Sequence, residues 1–500
     1  MADHSKLRIL FVVSEYAPWA KVGGLADAVA GLAAELRRCG HDPRIVLPYY
    51  GFLSGEEVRT RPVLESMCVR MGVGEEWCAV DSARGRGNVP VYLIRHEHFF
   101  AREGIYHDRV MHDYDDNPER FGFFCRAALQ VCMDTGFSPD IVHAHDWPAA
   151  PTAAYLKTWF WNNTDLGRAA SVLTIHNIAH QGVYNAAHYP YLGLGEAQYT
   201  PDSFEAWEQI NFLKGGIKNA DLVTTVSPTH AREITRPYGG FGLAPYLSDK
   251  GDRFIGLLNG VDYNSWSPQR DPNIPARFTM RDFSGKATCK RALQEVFGLE
   301  QQEDVCILGF VGRFVEQKGL NLIREAIEKV LDHMKVQFVI LGSGEHRSQE
   351  YFGALPFRRP GRVGSYIGFS NERAHLITAG ADFLLMPSLF EPCGLNQLYA
   401  LRYGTPPIVR ATGGLEDTVE QYDESTGDGT GFKFYDATPQ ALHDTIGWAV
   451  STYYDRPKHM VKMMKAAMRR DFSWKNMGGE YERLYARAAR VKRDYDAAHA

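Results

Sequence analysis

The sequence predicts an α/β protein with two successive parallel sheets. Three observations carry this reading. Apolar runs of strand length alternate with amphipathic helices from the first residues onward. The alternation stops in a segment rich in Pro, Asn and Asp, 264–275, and restarts with a buried strand at 305–311. At 500 residues, the chain is also too long for one ordinary core.

Composition narrows the function classes. A hydrophobic content of 45% with 23% charged residues fits a soluble globular chain. A net charge of -5 gives no basic field for nucleic acid and no polybasic membrane anchor. No apolar run approaches the roughly 20 residues of a membrane helix. Only Met1–Lys6 precede the first expected strand, which leaves no room for a signal or transit peptide. The eight cysteines include no C-x-x-C pair, so a reducing compartment, the cytoplasm, is expected.

In the first half, 7–13 reads as a strand and 25–39 as an amphipathic helix, with Leu25, Ala28, Val29, Leu32, Ala33 and Leu36 on one stripe. Between them, Gly23 and Gly24 allow close approach to a ligand, and Lys21 places a point charge beside the helix start. The dinucleotide G-x-G-x-x-G spacing is absent, and a tight turn explains the glycines equally well. Strands are expected at 44–47 and 89–95 and a helix at 121–133. Asp113 and Asp115 match a D-x-D metal motif, but the acidic D-Y-D-D-N context favours a solvated loop.

The strand 140–144 runs into His145, Asp146 and Trp147. His143 and His145 share a strand face, yet no further ligand cluster joins them, so zinc is the minority reading. Asp146 falls at the carboxyl end of a parallel strand, where open α/β sheets bind ligands. The strand 170–175 delivers His176 and Asn177 to the same edge. A helix at 212–217 and a strand at 220–227 follow.

In the second half, 305–311 ends in Gly312 and Arg313, and Lys318-Gly319 opens a helix over 320–331. Arg313 and Lys318 are spaced to grip one diphosphate, Arg through its fork and Lys as a point charge; two solvated surface cations are the alternative. Strands follow at 336–341 and 361–368. Phe369, just beyond the second, is placed either to stack on a base or to pack. The stretch 381–414 then reads as strand (383–386), proline-bounded loop, helix from Leu395, and strand (405–409). Glu391 stands in that loop beside unpaired helix-start amides, which attract phosphate. A carboxylate there repels phosphate but accepts hydrogen bonds from hydroxyls, which suggests a nucleotide sugar; a capped loop with a solvated glutamate fits equally well. The tail 474–497 is helical and charged.

Nine segments carry a resemblance: K-V-G-G-L-A-D (21–27), H-A-H-D-W (143–147), H-N-I-A-H-Q-G (176–182), N-F-L-K-G-G-I (211–217), T-V-S-P-T-H-A-R-E-I (225–234), L-N-G-V-D (258–262), G-R-F-V-E-Q-K-G-L (312–320), E-P-C-G-L-N-Q-L-Y-A-L-R-Y-G (391–404) and R-A-T-G-G-L-E-D-T-V (410–419). In this order, over nearly the whole chain, they resemble the bacterial and plastid glycogen (starch) synthases, retaining glucosyltransferases that use ADP-glucose. The resemblance implies two facing Rossmann-like domains of the GT-B type with a cleft between them. It places 1–263, with 475–500 returning, on the acceptor side and 264–474 on the nucleotide-sugar side.

It also implies roles. Lys21 and Gly24 contact the donor, Arg313 and Lys318 hold the diphosphate, and Cys393, Gly394, Leu395 and Asn396 form the loop whose amides assist. Glu391 binds glucose hydroxyls and Phe369 lies against adenine. His176 sits under the anomeric carbon and Asp146 lines the sugar cleft. The implied partners are ADP-glucose and an α-1,4-glucan, with no metal or other cofactor, no nucleic acid and no membrane. A relative using UDP-glucose or a small sugar acceptor, or an inactive glycan-binding scaffold, is the alternative. Leu389, where the family has arginine, and His180, where it has an aromatic residue, depart from the pattern.

Overall fold

The computed structural model describes residues 6–53, 58–109 and 112–499. Met1–Ser5, part of the N-terminal stretch read above, lie outside these. The chain divides into two compact units. One runs to Gly260 and resumes at Trp474; the other is Val261–Ser473.

The strands of the first unit are β1 (Arg8–Val12), β2 (Asp42–Pro48), β3 (Arg61–Met71), β4 (Gly74–Arg84), β5 (Pro90–Arg95), β6 (Ile141–His145), β7 (Ala170–Ile175), β8 (Val183–Asn185), β9 (Glu205–Ala206), β10 (Gln209–Asn211), β11 (Leu222–Thr225) and β12 (Phe254–Gly256). Among the described residues, nine of these form one sheet in the order β12-β11-β7-β6-β1-β2-β5-β4-β3. Neighbours from β12 to β5 are parallel, and β4 and β3 extend the edge as an antiparallel hairpin. The short strands β8, β10 and β9 make a separate antiparallel sheet.

In β1, Ile9, Leu10, Phe11 and Val12 are all fully buried, because helices cover both faces of a parallel sheet. The helix Gly24–Arg38 buries Leu25, Val29, Leu32 and Leu36, and Arg37 and Arg38 in its last turn complement the helix dipole. The C-terminal helix Trp474–His499 belongs to this unit. Its Tyr485 is fully buried, and its Glu482 lies 2.9 Å from His41.

The second unit holds β13 (Cys306–Val311), β14 (Val336–Gly342), β15 (Val363–Ile367), β16 (Phe383–Met386), β17 (Pro407–Arg410) and β18 (Phe432–Phe434). They form a wholly parallel sheet in the order β15-β14-β13-β16-β17-β18. Alternate residues feed different cores. Phe383 and Leu385 of β16 join one cluster, Leu384 and Met386 the other. A strand buried on both faces shows no polar alternation, which is why F-L-L-M reads as a continuous run.

Each sheet reverses its direction of winding once. In the first unit the reversal lies between β1 and β6, in the second between β13 and β16. The crevice outside the carboxyl ends at such a point is where open α/β sheets bind ligands. Among the described residues no helix is long and apolar enough to cross a membrane.

Candidate active site

At the β1–β6 reversal, the loop after β1 is tied down by a carboxylate. Buried Glu15 accepts the Val22 and Gly23 N–H groups through Oε2, at 2.7 and 3.0 Å, and the Tyr106 hydroxyl through Oε1 at 2.8 Å. This sets the K-V-G-G turn ahead of Gly24, the first residue of its helix. Lys21 is exposed and pairs with Asp27 in that helix's first turn, Nζ to Oδ2 2.8 Å.

Asp146 follows β6 with a left-handed backbone, φ +55°. Such conformations are uncommon outside glycine and gather at functional sites. Its Oδ1 accepts the backbone N–H groups of His176, at 2.6 Å, and Asn177, at 3.4 Å, and so joins the ends of β6 and β7. Burial pushes the carboxyl up to about 7. The two amides oppose that rise and the charge of Glu15 adds to it.

Three imidazoles line up beside it. His143 is hydrogen-bonded at both nitrogens, to Tyr485 Oη at 2.9 Å and Thr174 Oγ1 at 2.6 Å, and Thr174 continues to Thr224 at 2.7 Å. His145 Nδ1 lies 2.9 Å from His176 Nε2. Burial lowers all three, His143 and His176 to about 3 and His145 well below its ordinary value, so the rings are neutral near pH 7. With both nitrogens of His143 engaged, H-A-H-D offers no free pair of imidazole donors. Among the described residues no group of three or more His, Cys, Asp or Glu side chains is arranged to hold a metal. Asp113 of the D-x-D pairs with His107 in an isolated bridge. Gly182, at φ +64°, closes the H-N-I-A-H-Q-G loop onto Trp147; a Cβ there would lie 2.5 Å from the indole. His180 is exposed.

At the β13–β16 reversal the groups are charged. The turn after β13 and the loop after β16 are bonded together. Leu389 N–H donates to Gln317 O at 2.8 Å, and Gln317 Nε2 donates to Phe390 O at 3.1 Å. Lys318 Nζ thereby meets Glu391 Oε2 at 2.6 Å, and the Ser388 hydroxyl donates to the same oxygen at 3.0 Å. Glu391 is 5% exposed, so this ion pair is largely withdrawn from water. Two residues for which the resemblance implies separate duties thus share one contact.

The glutamate loop is braced from behind. Gly414 N–H donates to Glu391 O at 3.0 Å, and a Cβ on Gly413, itself at φ +46°, would lie 1.9 Å from that oxygen. Arg410 donates to Ser388 O at 2.8 Å and also to Leu389 O. The Leu389 side chain packs against the hydrophobic core. Arg410 thus supports the loop in which Leu389 departs from the family pattern.

Arg313 is exposed and makes no side-chain hydrogen bond or ion pair among the described residues. Asn396 opens the helix Asn396–Arg402 and donates to Val311 O at 2.7 Å, fixing that helix start at the end of β13. Cys393 is buried, Gly394 adopts φ +72°, and the Gly394 and Leu395 N–H groups donate to no acceptor among the described residues. Phe369, beyond β15 at the same sheet edge, is 83% exposed.

Asp146 and His176 thus meet at one reversal, and Lys318, Glu391 and Asn396 at the other. Glu15, Arg410 and Tyr485 are the residues that sequence reasoning passed over, and His145 entered it only as a minority zinc ligand beside His143. Glu15 stands three residues beyond the end of β1.

Comparison with known proteins agrees with this fold. The family described as "Starch synthase catalytic domain" matches residues 8–249, and "Glycosyl transferases group 1" matches 294–469. The catalytic domain of starch synthase IV from Arabidopsis thaliana, solved with ADP and acarbose, superposes with a TM-score of 0.89 at 34% identity, covering 97% of this chain and 100% of that one. Sucrose-phosphate synthase from Thermosynechococcus elongatus, at 17% identity and a TM-score of 0.61, shares the fold. Fold and site therefore define a glycosyltransferase of the two-domain, Rossmann-like GT-B class.

Glycogen synthase 1 of Geobacter sulfurreducens is 44% identical over 490 residues, 98% of this chain and 97% of its own. The glycogen synthase of Treponema denticola is 42% identical over 491 residues, 97% of this chain and 99% of its own. The chain belongs to the bacterial glycogen and plant starch synthase family.

Proposed function

We propose that this glycosyltransferase moves glucose from ADP-glucose to the non-reducing end of an α-1,4-glucan with retention. The observation that carries the reading is the Lys318–Glu391 pair at the β13–β16 reversal, beside uncommitted Arg313 and the free Gly394 and Leu395 amides. Cations and amides suit a diphosphate; a buried carboxylate suits sugar hydroxyls. The solved relative's ligands, ADP and acarbose, are of the matching classes.

Arg313 and Lys318 hold the diphosphate and stabilise the charge it gains as it leaves. Lys21 offers a positive charge to the donor, and Phe369 offers an exposed face to adenine. Glu391 anchors the glucose and orients Lys318. Asp146 fixes the His176 backbone, and neutral His176 faces the sugar carbon as positive character develops there. The bond from the anomeric carbon to the diphosphate breaks as the acceptor's 4-hydroxyl oxygen bonds to that carbon on the same face. The hydroxyl proton passes to a phosphate oxygen. Because side chains supply the positive charge, no metal has an assigned role.

Radiolabelled ADP-glucose and UDP-glucose, each offered with glycogen and with or without excess chelator, test the reading. Chelator-resistant incorporation from ADP-glucose is expected. Incorporation from UDP-glucose alone, or rescue of a chelated enzyme by magnesium or manganese, would overturn the corresponding part. Glycogen binding without incorporation from either donor would leave the scaffold alternative.

A further inference from the structure

The manner in which the His176 ring is held determines which of its nitrogens carries the proton. In β6, residues two apart point the same way. His143 and His145 therefore lie with ring centroids 4.1 Å apart, and Phe11 of β1 packs against both. His143 is satisfied at both nitrogens. His145 is not: its Nδ1 meets His176 Nε2 at 2.9 Å, while its Nε2 is buried with no hydrogen-bond partner among the described residues. His145 itself is only 2% exposed.

Two neutral rings sharing one hydrogen bond admit two arrangements. If His176 donates from Nε2, the single proton of His145 sits on its own Nε2, and a buried N–H is left with nothing to donate to. If His145 donates from Nδ1, the buried orphan is only a lone pair. Orphaned buried N–H groups are the rarer of the two. In the second arrangement the proton of His176 must lie on Nδ1. That atom has no protein partner among the described residues, and the ring is half-buried, so the N–H is open to a ligand.

We propose that His145 is a positioning residue: its Nδ1–H donates to His176 Nε2 and holds His176 as the Nδ1–H tautomer, presenting that N–H to a hydroxyl of the transferred sugar. The consequence for turnover rests on the role given to His176 above; the tautomer does not. His145 touches no substrate in this scheme and acts only through its neighbour.

The test uses the full-length protein with nitrogen-15 labelled histidine. Long-range proton–nitrogen correlation, with His176 assigned by loss of its signals in His176→Gln, should show a pyrrole-type Nδ1 and a pyridine-type Nε2 from pH 6 to 8. The reverse pattern would overturn the tautomer. His145→Leu removes the donor and should mix the two tautomers of His176. It should lower kcat on the order of 10- to 100-fold with little change in KM for ADP-glucose. His145→Asn, which keeps an amide where Nδ1 was, should restore most of the turnover. A Leu variant with the wild-type kcat and spectrum would refute the positioning role. Should the Leu variant not fold, the wild-type spectrum still decides the tautomer. A folded Asn variant slowed beyond 100-fold would then reject the role. Failure of the wild type to transfer glucose would strike the proposed function and leave the spectrum standing.

Discussion

Beside the β1–β6 reversal, at the carboxyl ends of β6 and β7, the first unit gathers three imidazoles that burial keeps neutral, and an aspartate lifted to about 7. Between β13 and β16 the second unit gathers a lysine–glutamate ion pair, a bracing Arg410 and an unpaired Arg313. Both places are reversals of a parallel sheet. The two sheets share this topological feature, so the difference between the two places lies in the loop residues at each reversal. The charged reversal suits a leaving diphosphate. The neutral one suits a sugar carbon that gains positive character, where a fixed cation would repel.

The sharpest way to break this contrast is to remove the lysine. Lys318→Ala should lower kcat by about 100- to 1,000-fold, roughly 3–4 kcal/mol, because it both removes charge from the leaving group and strips Glu391 of its partner. For that second reason the Lys318→Ala and Glu391→Ala effects should not add. A double-mutant cycle on kcat/KM checks this, and strict additivity would deny the pair its role.

Asp146→Asn probes the neutral reversal through pH. The folded carboxyl titrates at about 7 against an ordinary value near 3.8. Between these values the folded state binds the extra proton, so this group makes stability fall as pH rises from about 4 to 7. The three histidines act in the opposite sense: their lowered values make stability fall as pH drops from about 6.5 toward 3. Asp146→Asn should therefore gain stability relative to wild type at pH 8 compared with pH 5. Urea titrations at both values measure the difference, and equal differences would contradict the burial account.

Gly413→Ala should cost about 1–3 kcal/mol, a few degrees in Tm, since the new Cβ meets the Glu391 carbonyl and the backbone is left-handed. It should also lower turnover by shifting Glu391, and a wild-type Tm and kcat would show that the loop yields freely. The smallest effect expected is for Asp27→Ala. The Lys21–Asp27 pair is solvent-exposed, so stability should change by less than about 1 kcal/mol, as thermal unfolding will show.

Much of this was legible in the sequence. Buried parallel strands announce themselves as continuous apolar runs, so Ala170–Ile175 and Phe383–Met386 were read with their observed limits. The β3–β4 hairpin was not read. Most of β3 is exposed, and register shifts near Leu64 break the period-two pattern. Asp146 was found because it directly follows a buried strand, and Glu391 because it stands in the loop between a strand and a helix start. The pairings were hidden because contacts across loops leave no local spacing: Lys318 and Glu391 are 73 residues apart, and His143 meets Tyr485 across 342. Arg410 escaped for the same reason, as it serves backbone carbonyls 21 and 22 residues away.

The central claim is that the charged reversal binds the diphosphate and the neutral one serves the sugar. Calorimetry of ADP alone, which carries no glucose, measures it in Lys318→Ala and Asp146→Asn. Lys318→Ala should weaken ADP by about 10-fold or more, the worth of one charge-assisted contact. Asp146→Asn should leave ADP affinity within about twofold of wild type while still lowering transfer. Equal weakening in both variants would contradict the division of labour.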